Sequence, residues 1–200
     1  MKNSVYPALI SIATLLIGWQ VAASWINHPA IFPSVSGLII RLTQLAGSAD
    51  FYLSFLITLG RGLEGFILAT LMALPASVAA HQSPFWNSFF HPLVVILRSV
   101  PVIAIVLIAL LIIQPVMLPV IIACITMLPI LYQNLLSAWD NTDPKLIEMA
   151  RFFRKSAWKR FRYVYLLQTK QLVVAGTATA IGFGWRAIII GEVLSSPALG

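Results

Sequence analysis

The chain has 200 residues, 60% of them hydrophobic and 10% charged, with 13 Lys and Arg against 6 Asp and Glu and a net charge of +7. That charged fraction is roughly half the usual value. It excludes a disordered chain, a soluble enzyme of normal composition and a disulfide-stapled secreted domain. A single cysteine, Cys124, sits in an apolar run, so neither an intramolecular disulfide nor a Cys-cluster metal site is available.

A spanning helix needs about 20 mostly apolar residues, and the chain divides into five such stretches. Residues 5–26 carry no charge, and Trp19 and Trp25 suit a bilayer interface. Lys2 before them resembles the start of a signal peptide, but the apolar run is long and no small-residue cleavage site follows cleanly, so an uncleaved first span is expected. Residues 27–50 form a loop, punctuated by Pro29 and Pro33, with an amphipathic piece over 35–45. The second span is expected at 53–80. Arg61 and Glu64 lie inside it, three residues apart and so on one helix face.

No charge falls between Ser99 and Trp139, a stretch too long for one helix and suited to two. Gln114, Pro115 and Pro119 mark the turn, which puts spans at 93–113 and 116–136, with Pro101 and Pro129 kinking or locally opening them. The last span is expected at 171–190. It is rich in small residues, and Ala178 and Gly182 make a small-xxx-small pair that would let it pack closely on other helices. Eight of the thirteen basic residues lie between Lys145 and Lys170. By the positive-inside rule that loop faces the cytoplasm, as does the N-terminus.

The loop 140–168 is the informative segment. Asp140, Asn141, Thr142 and Asp143 are helix-start residue types and Pro144 fits a first helical position, giving a short helix over 144–153. A second amphipathic piece follows over 156–167, with Trp158, Phe161, Val164 and Tyr165 at helical spacing. Composition alone leaves two readings open: a structured surface for a partner, or a basic segment lying on anionic lipid.

The same segment resembles the cytoplasmic coupling loop of ABC importer permeases. That pattern is Glu-Ala-Ala, three residues, Gly, nine residues, then Ile, any residue, Leu-Pro. Here Glu148, Met149 and Ala150 occupy the triplet, Arg154 stands where the family has Gly, and Val164, Tyr165, Leu166 and Leu167 close it. Arg154 replaces a residue used where a turn needs positive φ, and Leu167 replaces a proline stop. Thr58-Leu59-Gly60-Arg61 with Gly65-Phe66, then Pro92, then Leu97-Arg98-Ser99-Val100-Pro101, and finally Gly184-Trp185-Arg186 with Glu192 and Gly200, are similar in order to the nitrate, sulfonate and taurine branch of that family.

The resemblance implies an all-α integral membrane protein, a type I ABC importer permease-like helical bundle. A single transmembrane domain over 1–200 is expected, with a sixth span beyond Gly200. It implies a permease subunit that forms the path for a small solute in a bacterial cytoplasmic (inner) membrane, with no cofactor and no enzymatic activity of its own. ATP hydrolysis would belong to a cytoplasmic ABC ATPase dimer, and no P-loop sequence occurs here. The other implied partners are a second permease subunit forming a homodimer, an external solute-binding protein and membrane lipid, but not nucleic acid. On this reading Glu148, Ala150, Arg151, Phe152, Phe153, Arg154, Trp158, Val164 and Leu166 couple the chain to the ATPase.

Arg61, Glu64, Arg98, Arg186 and Glu192 are costly in lipid. They either line the path or form helix-to-helix ion pairs and snorkel at span ends. His28, His81 and His91 are separated and read as interfacial or loop residues rather than ligands. A self-sufficient secondary transporter would need internal repeats and an intramembrane ion site. It remains the alternative, beside a membrane-embedded enzyme or a non-transporting membrane anchor.

Overall fold

The computed structural model describes every residue except 1–4, 30, 155 and 196–200, together with the backbone but not the side chains of Val5, Arg151 and Ala157. No strand occurs among the described residues. The chain divides into two compact units, 1–55 and 56–200.

In the first unit, α1 (Val5–Ile26) is apolar throughout. It ends at Asn27, whose φ of 46° is the left-handed cap conformation that asparagine tolerates. α2 (Val35–Ala46) starts where Ser34 Oγ accepts a hydrogen bond from the Gly37 amide, the usual serine cap. Two side chains of α1 fix the approach to α2. Trp19 Nε1 donates to the Pro33 carbonyl at 2.9 Å, and Gln20 Oε1 accepts from the Val35 amide at 3.0 Å. α2 matches the expected amphipathic piece and has no buried residue. α3 (Ala49–Gln82) begins in this unit and continues into the second.

The second unit is built inside out relative to a water-soluble domain. Its interior is rich in Ala and Gly, whereas most Leu, Ile and Phe face outward. Lipid is as apolar as leucine, so helices associate through close packing rather than by hiding apolar surface. α3 buries Gly62, Gly65, Ala69, Ala73, Ser77 and Ala80, every third or fourth residue. α6 (Leu118–Asp140) carries the bulk that fills the space, including Ile122, Met127, Leu131 and Tyr132. α9 (Leu166–Ser195) offers Gly176, Ala180, Gly184 and Gly191.

Two contacts show why glycine is needed. A Cβ on Gly65 would come within 2.7 Å of Ala123 Cβ, and one on Gly184 would run into Met127. The expected packing pair on α9 is corrected here: Ala178 and Gly182 are exposed, and a Cβ on Gly182 would meet nothing. The packed face lies two residues away, about 200° round the helix.

The helix expected over 93–113 is interrupted. α4 (Pro84–Ser99) stops at Val100, and α5 (Val102–Ala109) leaves at a bend of 92°. Pro101 is the cause: it denies an amide to the helix and pushes Val100 into an extended conformation, φ −79° and ψ 127°. Pro129 sits inside α6, which runs on through it. The last helix also differs from expectation. α8 (Ala157–Arg160), a π-helical stretch (Phe161–Tyr165) and α9 run on without a break. With Leu167 in place of a proline, nothing stops helix propagation there.

Side-chain bonds gather one end of this unit. His81 Nδ1 lies 2.7 Å from Asp140 Oδ1, joining the end of α3 to the end of α6. The Asp143 amide donates to Gln168 Oε1 at 2.9 Å, joining that end to the start of α9.

Candidate functional site

The segment between α6 and α9 is a folded projection. α7 (Pro144–Phe152) begins where Asp143 Oδ1 accepts from the Lys145 amide at 2.8 Å. It ends in a turn at Arg154 with φ of 48°. The left-handed turn that the family's glycine implies at this position is formed, with an arginine bearing the strain that glycine would avoid.

The projection exposes large aromatic side chains beside its charges. Phe152 is 84% exposed, Trp158 68% and Phe153 62%. Phe152 and Phe153 meet edge to face at 5.7 Å. Glu148 is exposed and Ala150 buried. Ala150, Phe153 and Val164 line one cleft of about 530 Å³, shared with Lys159 and Tyr163. Leu166 is exposed at the start of α9, and the side chain of Arg151 lies outside the described residues. Exposed aromatics of this kind are found on surfaces that meet a protein partner or a membrane.

Sequence reasoning missed how the projection is anchored. Trp158 stacks on Phe161 (5.7 Å, 23°), Phe161 meets Trp139 at 6.1 Å, and Trp139 meets Tyr165 edge to face at 5.9 Å. Trp139 is buried, and its Nε1 donates to Ser77 Oγ on α3 at 3.1 Å. A line of rings thus runs from the exposed surface to the packed helices. The aromatic spacing in 158–165 was visible in the sequence; that Trp139 receives it was not.

The charged residues of the helices separate into different settings. Arg61 does not pair with Glu64. Its Nη1 meets Glu192 Oε1 of α9 at 2.7 Å, and Thr58 Oγ1 donates to Glu192 Oε2 at 2.8 Å; both charged side chains are 12% exposed. Glu64 is exposed and lines, with Arg61, Met117 and Ile121, a cleft of about 680 Å³. Arg186 is exposed, with no charged partner among the described residues. Arg98 lies at the end of α4 and opens onto a third cleft, of about 520 Å³, where α4, α5, α6 and α9 meet.

The model of the family described as "Binding-protein-dependent transport system inner membrane component" matches residues 65–200. The putative aliphatic sulfonates transport permease protein SsuC of Escherichia coli (strain K12) is 27% identical over 183 residues, covering 89% of this chain and 68% of that protein. The putative ABC transporter permease protein MJ0413 of Methanocaldococcus jannaschii is 25% identical over 190 residues, covering 92% and 71%. The bicarbonate transport system permease protein CmpB of Synechocystis sp. is 25% identical over 210 residues, covering 100% and 75%.

Proposed function

The chain belongs to the family of binding-protein-dependent transport system inner membrane components, and we propose that its 148–167 projection couples it to a separate cytoplasmic ATPase. It is an integral membrane protein, the permease subunit of an ABC importer, with the all-α fold of type I permeases. In our reading the ATPase hydrolyses ATP and this chain does no chemistry. A second copy of the permease completes the path, and an external binding protein delivers the solute. The N-terminus and the basic projection lie on the cytoplasmic side of the inner membrane, as the charge bias supports. The relatives' names make sulfonates and bicarbonate the first solutes to try.

The observation that carries the coupling reading is the continuous aromatic line from Trp158 through Phe161 to Trp139 and its bond to Ser77. A surface that only rested on lipid would have no need of a stiff connection to the helix core. A partner that pushes on Phe152, Phe153 and Trp158 moves α6 and α3 through packed rings, and packed interiors transmit displacement rather than absorb it. Glu148, Arg151 and Arg154 supply charges that fix the register of docking, Ala150, Val164 and Leu166 its apolar contacts.

The test is co-purification of the ATPase with the permease, followed by ATP-driven solute uptake in vesicles. Glu148→Lys should lower uptake severalfold in a protein that still inserts, and deletion of 148–165 should abolish ATPase capture. Full uptake by Glu148→Lys, or uptake by the permease with no ATPase present, would overturn the proposal.

A further inference from the structure

The cleft beside Arg98 is lined by more hydrogen-bonding side chains than the clefts at Glu64 and at Phe153. Its polar lining is Arg98, Ser99, Thr126, Gln133, Asn134 and Thr179. Ser99, Thr126 and Thr179 spend their hydroxyl protons on backbone carbonyls of Ile96, Ile122 and Ala175. Asn134 gives one amide proton to the Ile130 carbonyl at 2.8 Å. Arg98 and Gln133 have no hydrogen-bond or charged partner among the described residues. None of the six Asp and Glu residues of the chain lines this cleft. It therefore presents the unspent donors of Arg98, Gln133 and Asn134, five of them on a guanidinium, beside the hydroxyl lone pairs of Ser99, Thr126 and Thr179, with no carboxylate to receive them.

Its depth is as telling as its chemistry. The end of the unit is marked by the His81–Asp140 and Asp143–Gln168 bonds. Arg98 is fourteen residues up α4 from Pro84, Thr126 fourteen residues up α6 from Asp140, and Thr179 thirteen residues up α9 from Leu166. At 1.5 Å per residue, each lies about 20 Å from that end. A hydrocarbon core is about 30 Å thick, so a bilayer that begins near that end would hold the three side chains at one level inside it. Gln133 is seven residues from Asp140, about 10 Å from the same end. The donors form a track that descends from Arg98 toward the projection. The 92° break between α4 and α5 keeps the cleft open, because no helix continues past Ser99 to fill it.

We propose that this cleft is a resting site for a small, singly charged oxyanion inside the membrane, held by the Arg98 guanidinium in a two-pronged contact and handed toward Gln133. The inference rests on the permease reading above and adds to it a place among the helices and the residues that would hold the solute. A guanidinium at this depth with no carboxylate is costly, and an anionic solute supplies the missing charge each time the site fills. Arg98 also suits the end of α4 as a cation near a helix C-terminus, so the test separates a ligand role from that structural one.

The experiment uses the purified complex of permease and ATPase in nanodiscs without nucleotide. Methanesulfonate and bicarbonate are the anionic probes, and dimethyl sulfone is a neutral match for the first. Calorimetric binding and the melting-temperature shift on adding each probe are the readouts. At least one anion should bind the unaltered complex and raise its melting temperature, and dimethyl sulfone should do neither. Arg98→Gln should weaken anion binding at least tenfold, Arg98→Lys less, and Gln133→Leu about threefold. If Arg98→Gln does not assemble, Gln133→Leu and Arg98→Lys carry the test.

Three results would overturn the proposal: no anion bound by the unaltered complex, equal binding of dimethyl sulfone, or anion affinity unchanged in the assembled variants. A helix-capping role alone would lower the melting temperature of Arg98→Gln by the same amount with and without anion. Failure of the coupling reading is seen separately, as loss of ATPase co-purification from the unaltered permease, and leaves anion binding by the permease readable.

Discussion

Arg61 of α3 and Glu192 of α9 meet at 2.7 Å in a setting where both side chains are 12% exposed, and Thr58 takes the second carboxylate oxygen. Removing one member of such a pair leaves an uncompensated charge, at a cost of about 3–5 kcal/mol. Arg61→Gln and Glu192→Gln should each sharply lower the melting temperature of the purified permease. The double change Arg61→Met with Glu192→Met should recover most of the loss, because a buried pair gains little over an apolar one once neither charge is stranded. A double variant no more stable than the singles would show that the pair is not the source of the effect.

The two glycine settings on α9 predict opposite outcomes two residues apart. Gly184→Val drives a side chain into Met127, an overpacking expected to cost about 1–3 kcal/mol or more. Gly182→Ala meets open space and should stay within about 0.5 kcal/mol of the unaltered subunit. Size-exclusion chromatography of the detergent-solubilised subunit after a heating series separates the two.

Arg154 holds φ at 48° without the freedom of glycine. Arg154→Gly should relieve about 1 kcal/mol of strain and slow hydrogen exchange across 144–165. Arg154→Val, β-branched at a left-handed position, should speed exchange in the same amides. No change in either variant would place the strain elsewhere.

Trp139 should act as a relay rather than a fixed wall. Trp139→Phe loses the bond to Ser77, worth about 1 kcal/mol, and keeps most ring contacts. Trp139→Ala opens a cavity costing about 3–5 kcal/mol. In vesicles, Trp139→Phe should keep ATP hydrolysis and most uptake. Trp139→Ala, where it folds, should hydrolyse ATP with little uptake; parallel loss of both activities would argue against a relay.

The helix pattern and the projection were legible because their signals are local. A charge-free run, a serine cap at Ser34 and a proline at 144 each act within a few residues. The family pattern also located the turn at Arg154, where the backbone adopts the expected left-handed form. What escaped depends on neighbours distant in sequence. Glu64 was within one turn of Arg61, but the carboxylate that reaches it is on another helix. Small residues lie on more than one side of α9, so periodicity could not say whether Ala178 or Ala180 faced the bundle. Pro101 and Pro129 read alike as kinks; one ends a helix and the other is carried within one, a difference set by tertiary packing. The Arg98 cleft was invisible for the same reason, since its polar groups come from separate helices.

From Ala157 to Ser195 the backbone stays helical and holds no proline. Trp158 and Glu192 are thirty-four residues apart, which makes this rod about 50 Å long between them. If the projection couples to an ATPase as proposed, a thrust delivered at its foot has no hinge in which to dissipate, apart from the one-turn slack of the π-helical stretch. It arrives at the far tip, where Glu192 grips Arg61 and Thr58. That clasp would then behave as a latch whose strength sets how hard the motor must work before the opposite mouth of the channel can change shape.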